Sequence, residues 1–321
     1  MKERILVTGG AGFIGSHICE RYVKEGHEVI IVDNLSSGKH KNIENLLKQE
    51  GVYFYTVDIT NKKELRNIFK QHRPTVVNHH AAQKSVPYSV ENPMYDLEIN
   101  IIGLLHLITL VQKFPIRNFI YASSGGALSK EIVGNEKSKE SDSPQLVSPY
   151  AITKFAGEQY IKMYSELYGF NFSILRYANV YGPRQIADGE SGVVPIFVNN
   201  ILAQKESILM TYPDMPTGCT RDYVYVSDIV EANFLCLQKK VNDVINLGSG
   251  KEEAILDIYH IIKEVFHSNL AIRIKGPRPG DIKRSVLSNK KAKRVLGWEP
   301  HVGLRMGIES VKNDLSRING L

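Results

Sequence analysis

Arg4-Ile5-Leu6-Val7-Thr8-Gly9-Gly10-Ala11-Gly12-Phe13-Ile14-Gly15-Ser16-His17-Ile18 is a short apolar run that passes through glycines into a segment of helical spacing. It reads as strand, glycine-rich turn, helix. Glycines at 9, 12 and 15 let the chain turn tightly, approach a pyrophosphate with its backbone and pack a helix close, the helix N-terminus facing the phosphates. Such a string alone is common, so its context decides. Glu28-Val29-Ile30-Ile31-Val32 is a second buried strand ending in Asp33, eighteen residues past Gly15, where a carboxylate bonds a ribose 2'-hydroxyl and repels a 2'-phosphate. A doubly wound α/β fold holding NAD rather than NADP is expected.

Outward from there the alternation continues. Tyr53 to Val57 is a third strand followed by Asp58 and a helix from Asn61 to Gln71, with Asp58 able to bond an adenine amine or cap that helix. Thr75 to Ala82 is a fourth strand running into small residues that admit a cofactor's close approach. The pair His79-His80 has no partner at ligand spacing, so no metal site is expected. From about Pro93 to Lys113 a long helical pattern carries Asn100 in an apolar run, where it needs hydrogen-bond partners, in the catalytic loop or in the scaffold. Asn118 to Ala122 delivers Ser123-Ser124-Gly125-Gly126 at a strand's carboxyl end, where open parallel sheets place their sites. Residues 128 to 147 read as a polar loop.

Ser148 then caps a helix that tolerates Pro149 in its first turn. In Tyr150-Ala151-Ile152-Thr153-Lys154 the tyrosine and lysine share one face, and an ammonium beside a phenol lowers its pKa and makes it a usable base. Phe172 to Tyr177 is the sixth strand. Beyond Asn179-Val180-Tyr181-Gly182-Pro183-Arg184-Gln185 the alternation stops and a smaller mixed α/β C-terminal unit begins, with a helix at 193 to 204. Val244 to Gly250 reads as a strand rejoining the first sheet. The units are therefore interleaved: 1–177 with about 222–250, and about 178–221 with 251–321.

Composition narrows the classes. In 321 residues Lys+Arg 40 oppose Asp+Glu 34, net +6, and the basic residues are dispersed, so nucleic acid is not an expected partner. Cys19, Cys219 and Cys236 are scattered and read as packing residues. No uninterrupted apolar run reaches the ~20 residues of a span and Met1-Lys2-Glu3-Arg4 leads straight into a strand, which suits a cytoplasmic protein without a membrane segment.

Taken together these residues resemble the extended short-chain dehydrogenase/reductase superfamily and, within it, UDP-glucose 4-epimerase-like members of the NAD-dependent epimerase/dehydratase family. The likeness spans nearly the whole chain through Gly9 to Gly15, Asp33-Asn34-Leu35, His80 to Gln83, Asn100, Ser123-Ser124, Tyr150 to Lys154, Arg176 to Pro183, Arg221 to Val224 and Arg278 to Asp281. It implies Tyr150 as base, Lys154 as a nicotinamide-ribose ligand and Ser124 as partner of the reacting hydroxyl. For the cofactor it further implies Gly9, Gly12, Phe13, Ile14, Gly15, Asp33, Asn34, Asp58, Ile59, Ala81, Ala82, Lys84, Asn100, Ser123 and Tyr177. For a UDP-sugar it implies Lys84, Ser124, Gly125, Gly126, Tyr150, Val193 and Val194, with Asn179, Arg221 and Arg278 on the diphosphate and Asp281 near the uridine ribose. It also implies a homodimer through helices at about 93–113 and 150–168.

Within that resemblance the expected reaction is interconversion of C4 epimers of a UDP-hexose through a transient 4-keto sugar, with NAD held tightly. Ser285 matches a gate position, and its small side chain leaves room for an acetamido group, so UDP-GlcNAc and UDP-GalNAc are expected to be accepted beside UDP-glucose and UDP-galactose. A UDP-glucuronate 4-epimerase would use Arg184 or another basic residue on a C6 carboxylate. A 4,6-dehydratase needs an acid after the catalytic serine, where this chain has only Gly125-Gly126-Ala127, and an NAD sensor without chemistry would not need the Tyr150–Lys154 pair. The family usually has Tyr-Gly soon after that loop; Leu128-Ser129-Lys130-Glu131 departs from it, so the sugar pocket's local shape does not follow from the resemblance.

Overall fold

The computed structural model describes residues 2–187, 192–277 and 282–319. Seven strands form one parallel sheet in the spatial order Asp243–Leu247, Asn171–Tyr177, Asn118–Ser124, Val76–His79, Arg4–Thr8, Glu28–Asp33, Val52–Thr56. This is the Rossmann fold. The central strands are near-continuous apolar runs because helices cover both faces, and Ile5, Leu6 and Val7 are fully buried. Strand order reverses at Arg4–Thr8, so the carboxyl ends of Arg4–Thr8 and Val76–His79 diverge into the crevice where open sheets bind ligands.

One face packs Phe13–Lys24 and Val226–Gln238 through Ile18, Tyr22, Ile229 and Leu237. The other carries Lys62–His72, Pro93–Val111 and Pro149–Tyr168 around Phe69, Leu107 and Ile161. Among the described helices, Pro93–Val111 alone has the length and apolarity of a membrane span, but more than half of it is buried against its neighbours. Its middle, Glu98–Gly103, is a π-turn, and a Cβ on Gly103 would lie 2.5 Å from the Ile59 side chain. Such π-bulges collect at functional sites.

The smaller unit gathers Val193–Leu202, Ile255–Val265 and Leu304–Asn319 around Phe197, Tyr259 and Ile308. We propose the interleaved division given above, supported by Asp243–Leu247 pairing in parallel with Asn171–Tyr177. Ala292, Leu296 and Trp298, from the C-terminal part, nevertheless pack into the first unit's core. The expected polar loop also differs. After a short helix, Gly125–Leu128, the segment buries Ile132 and Ser138, and the Ser138 N–H donates to the Val286 carbonyl while the Ser288 N–H donates to that of Ser138. It is a wall strapped to the strand that carries Ser285.

Candidate active site

The glycine turn forms a cradle that other residues would fill. A Cβ on Gly15 would stand 2.2 Å from the Gly9 carbonyl oxygen, and one on Gly9, whose φ is +66°, would stand 2.7 Å from the Ala81 nitrogen. Gly12 caps the following helix without a side chain and no acid occupies the first turn, so the positive helix end is open to an anion. Phe13 and Ile14, in that turn, pack against the smaller unit's core. Asp33 closes the far side, accepting from the Ala11 N–H at 3.0 Å and the Leu35 N–H at 2.8 Å, and Gly38 lies against its carboxylate, where a Cβ would come within 2.7 Å. Burial raises this carboxyl above its ordinary value, with the backbone donors opposing. Gly15→Ala is expected to abolish dinucleotide binding or folding outright, read by cofactor content after purification and by circular dichroism; a folded variant with full cofactor content would contradict the cradle.

Neighbouring residues differ in part from expectation. Asp58 caps no helix: its carboxylate accepts from the Thr60 N–H and hydroxyl and from Asn34 Nδ2 at 2.7 Å, while Asn61 caps Lys62–His72. Ile59 is buried, and Ala81 and Ala82 stand half-buried at the end of Val76–His79.

Ser148 caps Pro149–Tyr168 by accepting from the Ala151 N–H at 3.1 Å, which sets Tyr150 and Lys154 toward the end of Asn118–Ser124. Ser124 hydrogen-bonds the Tyr150 phenol and also accepts from the Ala127 N–H at 3.2 Å. The structure thus brings Ser124, Tyr150 and Lys154 together. It does not bear out the expected lowering of the phenol by Lys154. That ammonium donates to the Ala122 carbonyl at 2.9 Å and lies 5.9 Å from the Tyr150 ring centroid but 5.0 Å from that of Tyr121. Burial pushes the Tyr150 phenol up to about 12, with Ser124 pulling down and Asp96 pushing up. The same burial pushes Lys154 down to about 8 against the attraction of Asp96 and Glu158.

Three residues assigned to the cofactor have their polar ends filled by protein. The Ser123 hydroxyl donates to Glu158 at 2.6 Å, the Tyr177 hydroxyl meets His80 Nε2 at 3.0 Å and Asn233 Nδ2 at 2.9 Å, and Asn100 accepts from the Gln83 N–H while donating to the Gln83 carbonyl and Asp96. Each holds the scaffold of the site. Burial drives His80 down to about 3 and His79 well below its ordinary value, so both rings are neutral.

Of the residues expected at the substrate, Asn179 Nδ2 donates to the Asp222 carbonyl at 3.0 Å, and Arg221 donates to the carbonyls of Thr220 and Lys283. Ser285 is 5% exposed and registers with Arg221 across paired strands. Gly125 backs onto Leu287, 2.4 Å from a Cβ placed there, whereas Gly126 faces open space. Val193 and Val194 start a helix, Val194 buried. Lys84 is exposed beside buried Gln83, and Arg278 and Asp281 lie outside the described residues. Asp222, quoted above only within the likeness and given no role, has a buried carboxylate that accepts from the Ser249 and Gly250 N–H groups and the Leu287 N–H, joining the turn after the last sheet strand to the segment that follows Ser285. An acid between Arg221 and three β-formers was the available signal.

The model for the NAD dependent epimerase/dehydratase family matches residues 5–248. A UDP-glucose 4-epimerase of Thermotoga maritima, solved with UDP-glucose, is 40% identical, covers 98% of this chain and 99% of its own, and superposes with a TM-score of 0.92. A Thermus thermophilus UDP-glucose 4-epimerase solved with NAD is also 40% identical, with coverage 96% and 99% and a TM-score of 0.88. A UDP-N-acetylglucosamine 4-epimerase of Methanobrevibacter ruminantium, solved with UDP-N-acetylmuramic acid, is 33% identical, with coverage 98% and 99% and a TM-score of 0.88.

Proposed function

The chain belongs to the NAD-dependent epimerase/dehydratase family, and from that premise we propose that it is a UDP-hexose 4-epimerase acting on UDP-glucose and UDP-galactose and also on their N-acetylated counterparts. The observation that carries this is the meeting of Ser124, Tyr150 and Lys154 at one strand end, beside a glycine cradle that fits a dinucleotide. The cofactor is NAD. When bound, it supplies a reversible hydride acceptor for C4 of the sugar.

The chain's own groups handle the proton. Tyr150 removes it from the sugar 4-hydroxyl and returns it to the 4-keto oxygen from the same phenol, with Ser124 bonded to that phenol and able to follow the oxygen. Lys154 holds its positive charge close by on the Ala122 carbonyl. Asn179 and Arg221, with Arg278, anchor the diphosphate, and the hexose turns between two faces because few groups fix it. Epimerisation has no net redox change, so NAD stays in place.

Ser285 supports the broader substrate range: it is small, and its strand lies beside Arg221 and is fixed by the 132–138 segment. The relative solved with UDP-N-acetylmuramic acid is consistent with that range. Of the glucuronate reading's candidates, Arg184 donates to Ser16 Oγ and Glu20, so that reading would draw on another basic residue. Exposed Met94, Leu97, Ile152, Met163 and Leu167 on Pro93–Val111 and Pro149–Tyr168 support a homodimer through those helices. Three buried free thiols suit the reducing cytoplasm.

The test is incubation with UDP-glucose and, separately, UDP-GlcNAc, without added cofactor, following the C4 epimers by NMR. Both are expected to convert. Ser285→Tyr should cut UDP-GlcNAc turnover by about 10-fold or more and spare UDP-glucose, as one misfitting group in a pocket is worth ~1–3 kcal/mol. Equal effects on both would sink the gate reading.

A further inference from the structure

We propose that Asp96 is a positioning residue for the catalytic pair: its buried carboxylate ties the Tyr150–Lys154 helix to the 81–85 loop and keeps a negative charge behind both groups. This rests on the epimerase reading only for its kinetic test. Asp96 is fully buried, and the hydrogen bonds it accepts come from neutral donors on three different segments: Gln83 Nε2 at 2.8 Å, Asn100 Nδ2 at 3.0 Å and the Thr153 hydroxyl at 2.6 Å. Thr153 lies between Tyr150 and Lys154 on their own helix, and its hydroxyl also reaches the Tyr150 carbonyl at 3.2 Å. Gln83 in turn accepts from the Ser85 N–H, and Ser85 caps the helix whose Ser89 accepts from the Tyr150 N–H at 3.2 Å. One carboxylate therefore fixes the base from two sides.

Position alone does not require charge. Burying an ion without a counter-ion costs several kcal/mol, and an amide could satisfy the same donors. The charge acts on its neighbours: Asp96 raises both the Tyr150 phenol and the Lys154 ammonium. The other groups facing the pair are Ser124, Tyr121, the neutral His79 and His80, and the mutually paired Glu158 and Arg176. Asp96 offsets part of the desolvation that would discharge Lys154 and sets the phenol higher than the other groups around it would.

Asp96→Asn separates charge from geometry. The amide oxygen can keep the Gln83 and Asn100 bonds while its NH2 donates to Thr153, whose hydroxyl turns wholly to the Tyr150 carbonyl. With the negative charge gone, both limbs of the pH–rate profile should move toward acid by roughly 0.5–1 pH unit, with cofactor content unchanged. Thr153→Val does the reverse experiment: the charge stays with one fewer donor, and kcat should fall about 10-fold or more with KM little altered, without an acid shift of either limb. Limbs that stay put in folded Asp96→Asn overturn the proposal, as does a Thr153→Val enzyme with native kcat should Asp96→Asn fail to fold. If the wild type turns over no UDP-hexose, the epimerase reading fails separately. The Tyr150 titration, read as the tyrosinate absorbance lost in Tyr150→Phe with and without Asp96→Asn, then decides the matter alone: a phenol that ionises at lower pH in Asp96→Asn supports it and an unmoved one overturns it.

Discussion

Tyr150→Phe is expected to lower kcat by about 10²–10⁴-fold, the usual worth of a positioned proton-transfer group, while cofactor content and UDP binding stay near native. The ring fits the same space, Ser148 still caps the helix and Lys154 keeps its bond to the Ala122 carbonyl, so the change removes one oxygen and nothing else. That oxygen is the one that hydrogen-bonds Ser124. Tyr121 cannot substitute: its buried hydroxyl has no partner, sits against Gly157 and is pushed well above the ordinary tyrosine range by burial. Epimer conversion by NMR and NAD released on denaturation measure the two quantities independently. A variant that retains a tenth of wild-type turnover would remove Tyr150 from the mechanism.

What was legible in the chain was local. Gly9, Gly12 and Gly15 act over a few residues, and Ser148 with Pro149 sets a helix start by its own hydrogen bond, so turn, helix and the Tyr150–Lys154 spacing could be read directly. Side-chain direction was less so. Ser123 and Ser124 are successive strand residues and must point to opposite faces, which would have assigned only one of them to the site. Partners distant in the chain left no pattern: Asp96 meets Thr153 across 57 residues, and the 132–138 wall meets the strand that carries Ser285 from the far end of the sequence. The phenol's behaviour was misread for the same reason. Spacing put the ammonium on the same face, but burial and the competing Ala122 carbonyl decided where its charge went.

Arg176→Met is expected to destabilise the protein by about 3–5 kcal/mol, the cost of stranding one member of a buried ion pair. Arg176 Nε and Nη2 donate to the two Glu158 oxygens at 2.8 and 2.7 Å, with side-chain exposures of 7% and 0%. Without the guanidinium, the donor left to Glu158 among these contacts is the Ser123 hydroxyl, too little to replace the hydration the carboxylate gave up. Glu158 lies one helical turn from Lys154, so the stranded charge sits beside the proposed catalytic pair. The double variant Arg176→Met with Glu158→Leu should recover most of the loss, because a pair replaced by apolar groups leaves no ion behind and only Ser123 unpaired, worth ~1–3 kcal/mol. Urea midpoints at unchanged slope would measure both. A single variant within about 1 kcal/mol of the wild type, or a double variant worse than the single, would show that the charge of Glu158 is compensated by something other than Arg176.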